Sequence, residues 1–373
     1  MILDSAVVPY YGMGRRTARD RKLIEATVRE VAACDEFILK RRVAAFEEQL
    51  CRYSGAGGAV AVSSGTAALQ VAFAALGVTS GSEVVVPAFG FHSSASAVAR
   101  LGGTPVLVDV DPESWLVDAE RVADSLGPRT AGVVAVHLFS AMADVAAIAA
   151  AAGDRWVLEN SAVAIGMRRD GRMAGRFGNL GIYSFQPVKP VGGTSDGGAV
   201  VGDDGELVTR CRMLRNHGQD GVHRFLHHLV GFNARMDEIT AAVLSHRLAR
   251  YDGEIARRAE IAARYDAAFA DLAPRLRVPP PAGHERVYYT YVVASLERDA
   301  LERHLAERGI ESKVYYPLPL HLQPAFRWLG YDEGDFPNAE RASRESLALP
   351  LYPEMPDADV DATIAAVLEF HDG

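Results

Sequence analysis

The run Val60-Ala61-Val62-Ser63-Ser64-Gly65-Thr66-Ala67-Ala68-Leu69 starts apolar and β-branched, passes through Ser-Gly-Thr, and ends in helix-forming alanines. It predicts a strand that feeds directly into a helix, the repeating unit of α/β architecture. The same alternation extends outward from about Ala59 to Gly202. Short apolar runs fall at Ala59–Ser63, Glu83–Val86, Pro105–Val110, Gly132–His137, Trp156–Glu159, Gly181–Phe185 and Ala199–Val201, and Gly65–Leu76 and Val145–Ala152 are the clearest helices. Apolar runs of this length, spaced by helices, predict a mostly parallel sheet covered on both faces.

Farther along, a long helical pattern covers Asp237–Tyr251 and continues through Ile255–Leu272, until Pro279-Pro280-Pro281 interrupts it. An α+β segment follows, with a strand at Val287–Ala294, a helix at Arg298–Glu307 and an extended piece at Ser312–Tyr316. This pattern predicts two domains, a large one over 1–251 and a smaller C-terminal α+β one over 252–373, with the long helices as hinge.

The chain has 373 residues, 49% of them hydrophobic and 23% charged, enough to bury a core in each of two domains. Its net charge is −9 and its one basic run is Lys40-Arg41-Arg42, which argues against nucleic acid as a partner. Cys34, Cys51 and Cys211 are far apart and form no CxxC pair. No disulfide framework or zinc ribbon is expected, and a reducing cytoplasm is. Met1-Ile2-Leu3-Asp4 does not read as a leader, and no stretch approaches the length of a membrane span. The expectation is a cytoplasmic protein with no membrane partner.

Candidate chemistry gathers at the ends of the predicted strands. At Ser64-Gly65-Thr66 the free N–H groups of a helix start offer an anion site, to which the two hydroxyls can add donors; a plain serine cap reads equally well. Lys189 ends Ile182-Tyr183-Ser184-Phe185-Gln186-Pro187-Val188-Lys189 and precedes the glycine-rich turn Gly192-Gly193-Thr194-Ser195-Asp196-Gly197-Gly198. A lysine held on a rigid element and partly stripped of water has a lowered pKa and can form a Schiff base. Most lysines, however, are simply on the surface. Phe91, in Pro87-Ala88-Phe89-Gly90-Phe91-His92, reads either as a core aromatic or as a ring lying over an aromatic ligand. Ser184 is placed to reach a phosphate. His217, His223, His227 and His228 include one helix-spaced pair but no accompanying carboxylate, so no metal site is expected there.

Taken in order, these motifs resemble the DegT/DnrJ/EryC1/StrS group of pyridoxal-phosphate aminotransferases. The resemblance is carried by Ser-Ser-Gly-Thr-Ala-Ala-Leu, Val-Pro-Ala-Phe-Gly-Phe, Val108-Asp109-Val110-Asp111-Pro112, Val136-His137-Leu138-Phe139, Ser184-Phe185-Gln186-x-x-Lys189, Asn216-His217-Gly218, Gly231-Phe232-Asn233-x-Arg235-Met236, Tyr316-Pro317-x-Pro319-Leu320-His321 and Leu349-Pro350-Leu351-Tyr352-Pro353, and it runs from about Phe37 to the C-terminus. It implies a type I aminotransferase fold with a seven-stranded sheet, pyridoxal 5'-phosphate as cofactor, and a homodimer with shared active sites. It also implies transfer of an amino group from glutamate or glutamine to a keto-sugar, a cyclitol ketone or a related intermediate of antibiotic or other natural-product biosynthesis. By position, Lys189 matches the lysine that holds the cofactor, Ser64, Gly65 and Thr66 the phosphate turn, and Phe91 the stacking aromatic. Ser184 matches a phosphate contact, and Asn233 the residue that reaches the phosphate from the neighbouring subunit. Arg235, Tyr315, Tyr316 and His321 are the substrate candidates, with Arg41 and Arg215 as further basic residues nearby. The Ser-Phe-Gln form most resembles members acting on cyclitols and on the aminohydroxybenzoate precursor.

The chain also departs from that pattern. Where the family has Glu-Asp-x-x-Gln/His, this chain has Glu159-Asn160-Ser161-Ala162-Val163. Asn160 replaces the aspartate facing the pyridine nitrogen, and an amide cannot hold a proton there by charge. Either Glu159 or a water takes over and the protein remains an ordinary aminotransferase, or the weakened electron sink implies a lyase, dehydratase or cyclising reaction. Lys189 speaks against a dehydratase, because the family's dehydratases carry histidine at that position. A non-catalytic regulatory protein on the same fold is a further alternative. The lysine loop is one residue longer than usual around Asp196, and Tyr289 and Tyr315 stand where histidines are common.

Overall fold

The computed structural model describes residues 7–372; the reading of Met1–Asp4 lies outside them. The chain runs α1 (Met13–Cys34), α2 (Arg41–Ser54), β1 (Gly58–Val62), α3 (Gly65–Ala75), β2 (Glu83–Pro87), α4 (Ser93–Arg100), β3 (Thr104–Val108), α5 (Ala119–Ser125), β4 (Thr130–Val136), α6 (Val145–Ala152) and β5 (Trp156–Asn160). After the small hairpin β6 (Arg168–Arg169) and β7 (Arg172–Met173) come β8 (Leu180–Ser184), β9 (Gly198–Gly202), α7 (Gly205–Arg215), α8 (Glu238–Leu248) and α9 (Tyr251–Phe269). The rest is β10 (Leu276–Arg277), β11 (Tyr291–Ser295), α10 (Arg298–Glu307), α11 (Pro337–Glu345), β12 (Ser346–Leu349) and α12 (Asp357–Asp372).

The main sheet has seven strands in the order β1-β9-β8-β5-β4-β2-β3. Only β9 is antiparallel to its neighbours, and the other pairings are parallel. Its strands are buried along nearly their whole length, which explains why they read as continuous apolar runs rather than alternating ones. The connecting helices start where a short polar side chain satisfies their first N–H groups. Ser64, Asp118, Asp144, Asp204 and Asp237 cap α3, α5, α6, α7 and α8 in this way. A second, antiparallel sheet, β10-β11-β12, packs Tyr291, Leu347 and Leu349 with Tyr265, Phe269, Leu301 and Leu305 in a separate apolar cluster.

The structure departs from the sequence reading in four places. The helical run from Asp237 to Leu272 is broken between α8 and α9, where Arg250 leaves helical geometry (φ −112°, ψ 3°) and donates to Asp20 at 2.7 and 2.8 Å. The strand expected from Val287 begins only at Tyr291; the carbonyls of Tyr288 and Tyr289 are taken by the Arg258 guanidinium instead of a neighbouring strand. Ser312–Tyr316 pairs through a single bridge, Lys313 with Ala348. The two N-terminal helices were not anticipated at all. No helix among the described residues is long and apolar enough to cross a membrane.

Helix α1 positions the site through charge. Asp20, 2% exposed, accepts from Arg247 Nε at 2.9 Å as well as from Arg250. Arg247 in turn donates to the carbonyls of Gly192 and Gly193, and Arg16 donates to those of Pro187 and Lys189, both at 3.2 Å. Breaking such a buried pair leaves an uncompensated charge, a loss of about 3–5 kcal/mol. Arg247→Met should therefore lower the stability measured by urea unfolding by that order. Breaking the exposed Arg308–Glu369 pair should leave the unfolding midpoint unchanged.

Candidate functional site

A cavity of about 570 Å³ opens where the parallel strands end, lined by residues that follow β1, β4, β5 and β8. The carboxyl ends of strands are where open α/β sheets bind ligands. Ser64, Gly65 and Thr66 line it from the start of α3. Ser64 is the helix cap, its Oγ accepting from Ala67 N–H at 3.0 Å, which leaves its O–H free to donate. The N–H groups of Gly65 and Thr66 belong to the first helical turn and have no intrahelical acceptor, which leaves them available for an anion. Gly65 also has a packing reason to be glycine. A Cβ there would stand 2.7 Å from Ser184 Cβ and 2.8 Å from its Oγ, so the bare backbone is what lets Ser184 approach this turn. Gly198 does the same from behind, where a Cβ would meet the Ser64 carbonyl at 2.4 Å.

Lys189 lines the same cavity. It does not stand at a strand end, since β8 stops at Ser184 and the lysine lies in the turn beyond, its N–H donating to the Gln186 carbonyl at 2.8 Å. The rigidity expected from a strand is supplied by Arg16 and Arg247. Its Nζ lies 4.6 Å from the centre of the Tyr289 ring, and burial alone pulls its pKa down to about 8. The surrounding tyrosines remain neutral hydroxyls, with burial raising the pKa of Tyr11, Tyr289 and Tyr316. Tyr315 and Tyr316 line the cavity, and Tyr11 reaches Tyr315 hydroxyl to hydroxyl.

Asn160 ends β5, buried and facing this cavity among its lining residues. Its Oδ1 accepts from Ala162 N–H at 3.2 Å and its Nδ2 donates to Ser94 Oγ at 2.9 Å. The Ala162 contact fixes which end is oxygen and leaves one amide N–H uncommitted. Glu159 has no spare capacity to substitute. It takes Phe177 N–H at 2.5 Å and Gly178 N–H at 2.7 Å on Oε1, and Gly175 N–H at 2.8 Å and His137 Nε2 at 3.0 Å on Oε2. His137 Nδ1 accepts from Ala143 N–H at 3.1 Å, so its ring proton is on Nε2 and points to Glu159. The reading in which Glu159 takes over the role of the missing aspartate is thereby corrected. Val163 lines the cavity as an apolar wall.

The other sequence-derived residues divide. Phe91 lines the cavity and is 55% exposed. Asn233 is exposed and outside it, accepting from Arg235 Nε at 2.9 Å, and Arg235 is likewise not among the lining residues. His321 is a correction: it is 1% exposed, bonded to Glu340 at 3.1 Å and packed edge-on against Phe336, and does not line the cavity. Arg215 is buried against Glu47 and the Ala61 carbonyl, and Arg41 lies beside Glu36. His223 and His227 are not on a helix. His223 and His228 both bond Asp220, at 2.8 and 3.0 Å, and His227 bonds the His217 carbonyl. Tyr11 and Arg16 were missed altogether. The aromatic pair Tyr10-Tyr11 ahead of two arginines, Arg15-Arg16, was the available signal.

Comparison with known proteins shows the family. The family model described as the DegT/DnrJ/EryC1/StrS aminotransferase family matches residues 18–368. A pleiotropic regulatory protein of Geobacillus stearothermophilus is 36% identical, with 98% of each chain covered. A dTDP-3-amino-3,4,6-trideoxy-alpha-D-glucose transaminase of Micromonospora megalomicea is 36% identical over 94% of this chain and 95% of its own. The crystal structure of S. venezuelae DesV in complex with a ketimine intermediate superposes with a TM-score of 0.95 at 35% identity, covering 98% of this chain and 99% of that one.

The desolvated amine makes a titration prediction. In cofactor-free protein the acylation rate of Lys189, followed by peptide mass mapping, should rise with pH about a midpoint near 8, while exposed lysines follow their usual value of about 10.4. The sign for stability is the same: the folded amine releases its proton before the unfolded one does, so stability rises as pH climbs between those two values.

Proposed function

Because this chain belongs to the DegT/DnrJ/EryC1/StrS aminotransferase family, we propose that it transfers an amino group from glutamate or glutamine to the ketone of a sugar, a cyclitol or a related natural-product intermediate. It is a pyridoxal-phosphate-dependent enzyme. The observation that carries the reading is the convergence of a desolvated Lys189, the open first turn of α3 and the Asn160 amide on one cavity. When bound, pyridoxal 5'-phosphate supplies an aldehyde that exchanges amino groups and a conjugated ring that accepts the electron pair left by a departing proton.

In this proposal the N–H groups of Gly65 and Thr66, with Ser184, hold the phosphate. Phe91 covers the ring on one side. Lys189 would hold the aldehyde and, once an incoming amino group has displaced it, its freed amine, with a pKa lowered by burial, would move the proton at the substrate carbon. Tyr315 and Tyr316 border the space left for substrate. Asn233, exposed on its own subunit, serves the neighbouring site of a homodimer, and Arg235 beside it contacts substrate there. The larger unit, 1–251, carries the cofactor and the smaller, 252–373, closes on it. The three unpaired cysteines support a cytoplasmic setting.

Incubating the loaded protein with glutamate or glutamine and a panel of keto-sugars and cyclitol ketones should yield 2-oxo acid in step with aminated product. Release of product without 2-oxo acid would assign a lyase or cyclising reaction instead. The uncommitted N–H of Asn160 favours an unprotonated ring nitrogen, so nitrogen-15 NMR of labelled cofactor should report the free-base shift, and Asn160→Asp should move it to the protonated one. The same substitution should speed the half-reaction with a simple amino donor about tenfold, the equivalent of one pKa unit of stabilisation. A protonated nitrogen in the unmodified protein would remove the case for altered chemistry.

The dimer has its own test. Lys189→Ala and Asn233→Ala subunits, each inactive alone, should recover activity when mixed, because one of the two sites in a heterodimer then carries both native residues. Continued inactivity after demonstrated subunit exchange would mean that each site is built from a single chain.

A further inference from the structure

We propose, on the reading of Lys189 as the cofactor-holding lysine, that Tyr289 is its positioning residue: the face of the Tyr289 ring seats the amine of Lys189 whenever that amine is not joined to the cofactor. The lysine Nζ lies over this ring, 4.6 Å from its centre, inside the roughly 6 Å over which an aromatic face attracts a cation. Among the described residues no carboxylate pairs with the amine. Asp196 lines the same cavity but leaves the lysine's titration to burial, the one cause of its fall to about 8.

The two kinds of partner differ in strength. A carboxylate in contact favours the ammonium strongly enough to offset the effect of burial, and a lysine kept charged is a poor base. A ring face favours the ammonium by only about one pKa unit, a tenfold change in proton affinity. Tyr289 therefore locates the amine without locking it in its charged form.

The ring is itself fixed at both ends. Tyr289 is 9% exposed, its N–H donates to the Val287 carbonyl at 3.1 Å, and its carbonyl accepts from Arg258 at 3.2 Å. Its hydroxyl bonds Tyr11, which in turn meets the Tyr315 hydroxyl. Burial keeps the Tyr289 hydroxyl neutral, so the lysine is offered a π face and not a phenolate. The other titratable groups that border this space are His137, Asp196, Tyr315 and Tyr316, with the Arg16 guanidinium on the lysine's own carbonyl, and all of them stay the same when Tyr289 alone is changed.

The chain has four lysines, Lys22, Lys40, Lys189 and Lys313, so carbon-13 labelling at Cε gives four NMR signals, and the one lost in Lys189→Met is that of Lys189. In the cofactor-free full-length protein Lys189 should titrate about one unit lower in Tyr289→Leu, a tenfold loss of proton affinity. It should be unchanged in Tyr289→Phe, which keeps the face and removes the hydroxyl. Three fluorines on the ring of the Tyr289→Phe variant withdraw its π density at nearly constant shape and should lower the lysine's pKa toward the Tyr289→Leu value. That substitution keeps the test decisive if Tyr289→Leu does not fold. In protein loaded with pyridoxal 5'-phosphate, the half-reaction with glutamate or glutamine should show its acid limb displaced downward by the same unit in Tyr289→Leu and its plateau about tenfold lower, and both should be restored in Tyr289→Phe. A plateau that falls while the limb stays in place would mark the ring as merely structural and overturn the proposal, as would a Lys189 pKa indifferent to fluorination. Equal losses in Tyr289→Phe and Tyr289→Leu would assign the effect to the hydroxyl and overturn it too. The expected titration shifts in a protein whose Lys189 does not take the cofactor would uphold the contact and refute only the cofactor reading.

Discussion

The turn that carries Lys189 makes no regular backbone ladder, so its carbonyls must find donors elsewhere. Arg16 and Arg247 provide them, reaching the carbonyls of Pro187, Lys189, Gly192 and Gly193 from two different helices. Both arginines are about 95% buried, and burying them is tolerable because Asp20 lies against Arg247 and Glu354 lies 4.0 Å from Arg16. The Lys189 turn is therefore held by guanidinium hydrogen bonds rather than by strand geometry. The N-terminal helix, which carries no chemistry of its own, becomes part of the site's frame. Among the described residues the amine has no anionic partner, an aromatic face lies beside it, and desolvation pulls its pKa down to about 8.

The two polar residues at the end of β5 show how a strand separates roles. Adjacent side chains on a strand point to opposite faces, so Glu159 and Asn160 cannot serve one group. Glu159 is absorbed by three backbone N–H groups and by His137, which ties the 175–178 turn and the loop after β4 to the strand. Asn160 alone faces the cavity, held at its oxygen by Ala162. A carboxylate there would attract a proton to a neighbouring ring nitrogen by its charge, whereas a neutral amide supplies no charge and has one N–H left to donate.

Much of the fold could be read from local pattern. All seven main-sheet strands lie within two residues of the apolar runs, because doubly covered parallel strands are apolar throughout and their helices are alanine-rich. What escaped depended on distant partners. The break before Tyr251 arises from Arg250 turning to Asp20, some 230 residues away in sequence, and no helical periodicity encodes that. The late start of β11 arises from Arg258 capturing two carbonyls. His321 looked available for substrate because histidine so often is, but Glu340 and Phe336 claim it in the interior. The cavity residues near Lys189 were legible where they sat on strand ends, at Ser64, Asn160 and Ser184. Tyr11 and Arg16, which support the site without lining the cavity, were not, because their partners lie 304 and about 170 residues away in sequence.

The aromatic wall connects these observations. Phe89, Phe139, Tyr315 and Tyr316 contact one another in a cluster with centroid separations of 5.4–6.4 Å, and Trp115 joins it through Phe89 and Phe139. Close packing leaves few voids beside such rings, so a change at one is felt by its neighbours. Phe139 holds a left-handed backbone conformation (φ 59°), as does Trp115, which bulky residues rarely adopt. Two bulky residues in that conformation thus stand in the aromatic cluster beside the lysine cavity, which Tyr315 and Tyr316 line.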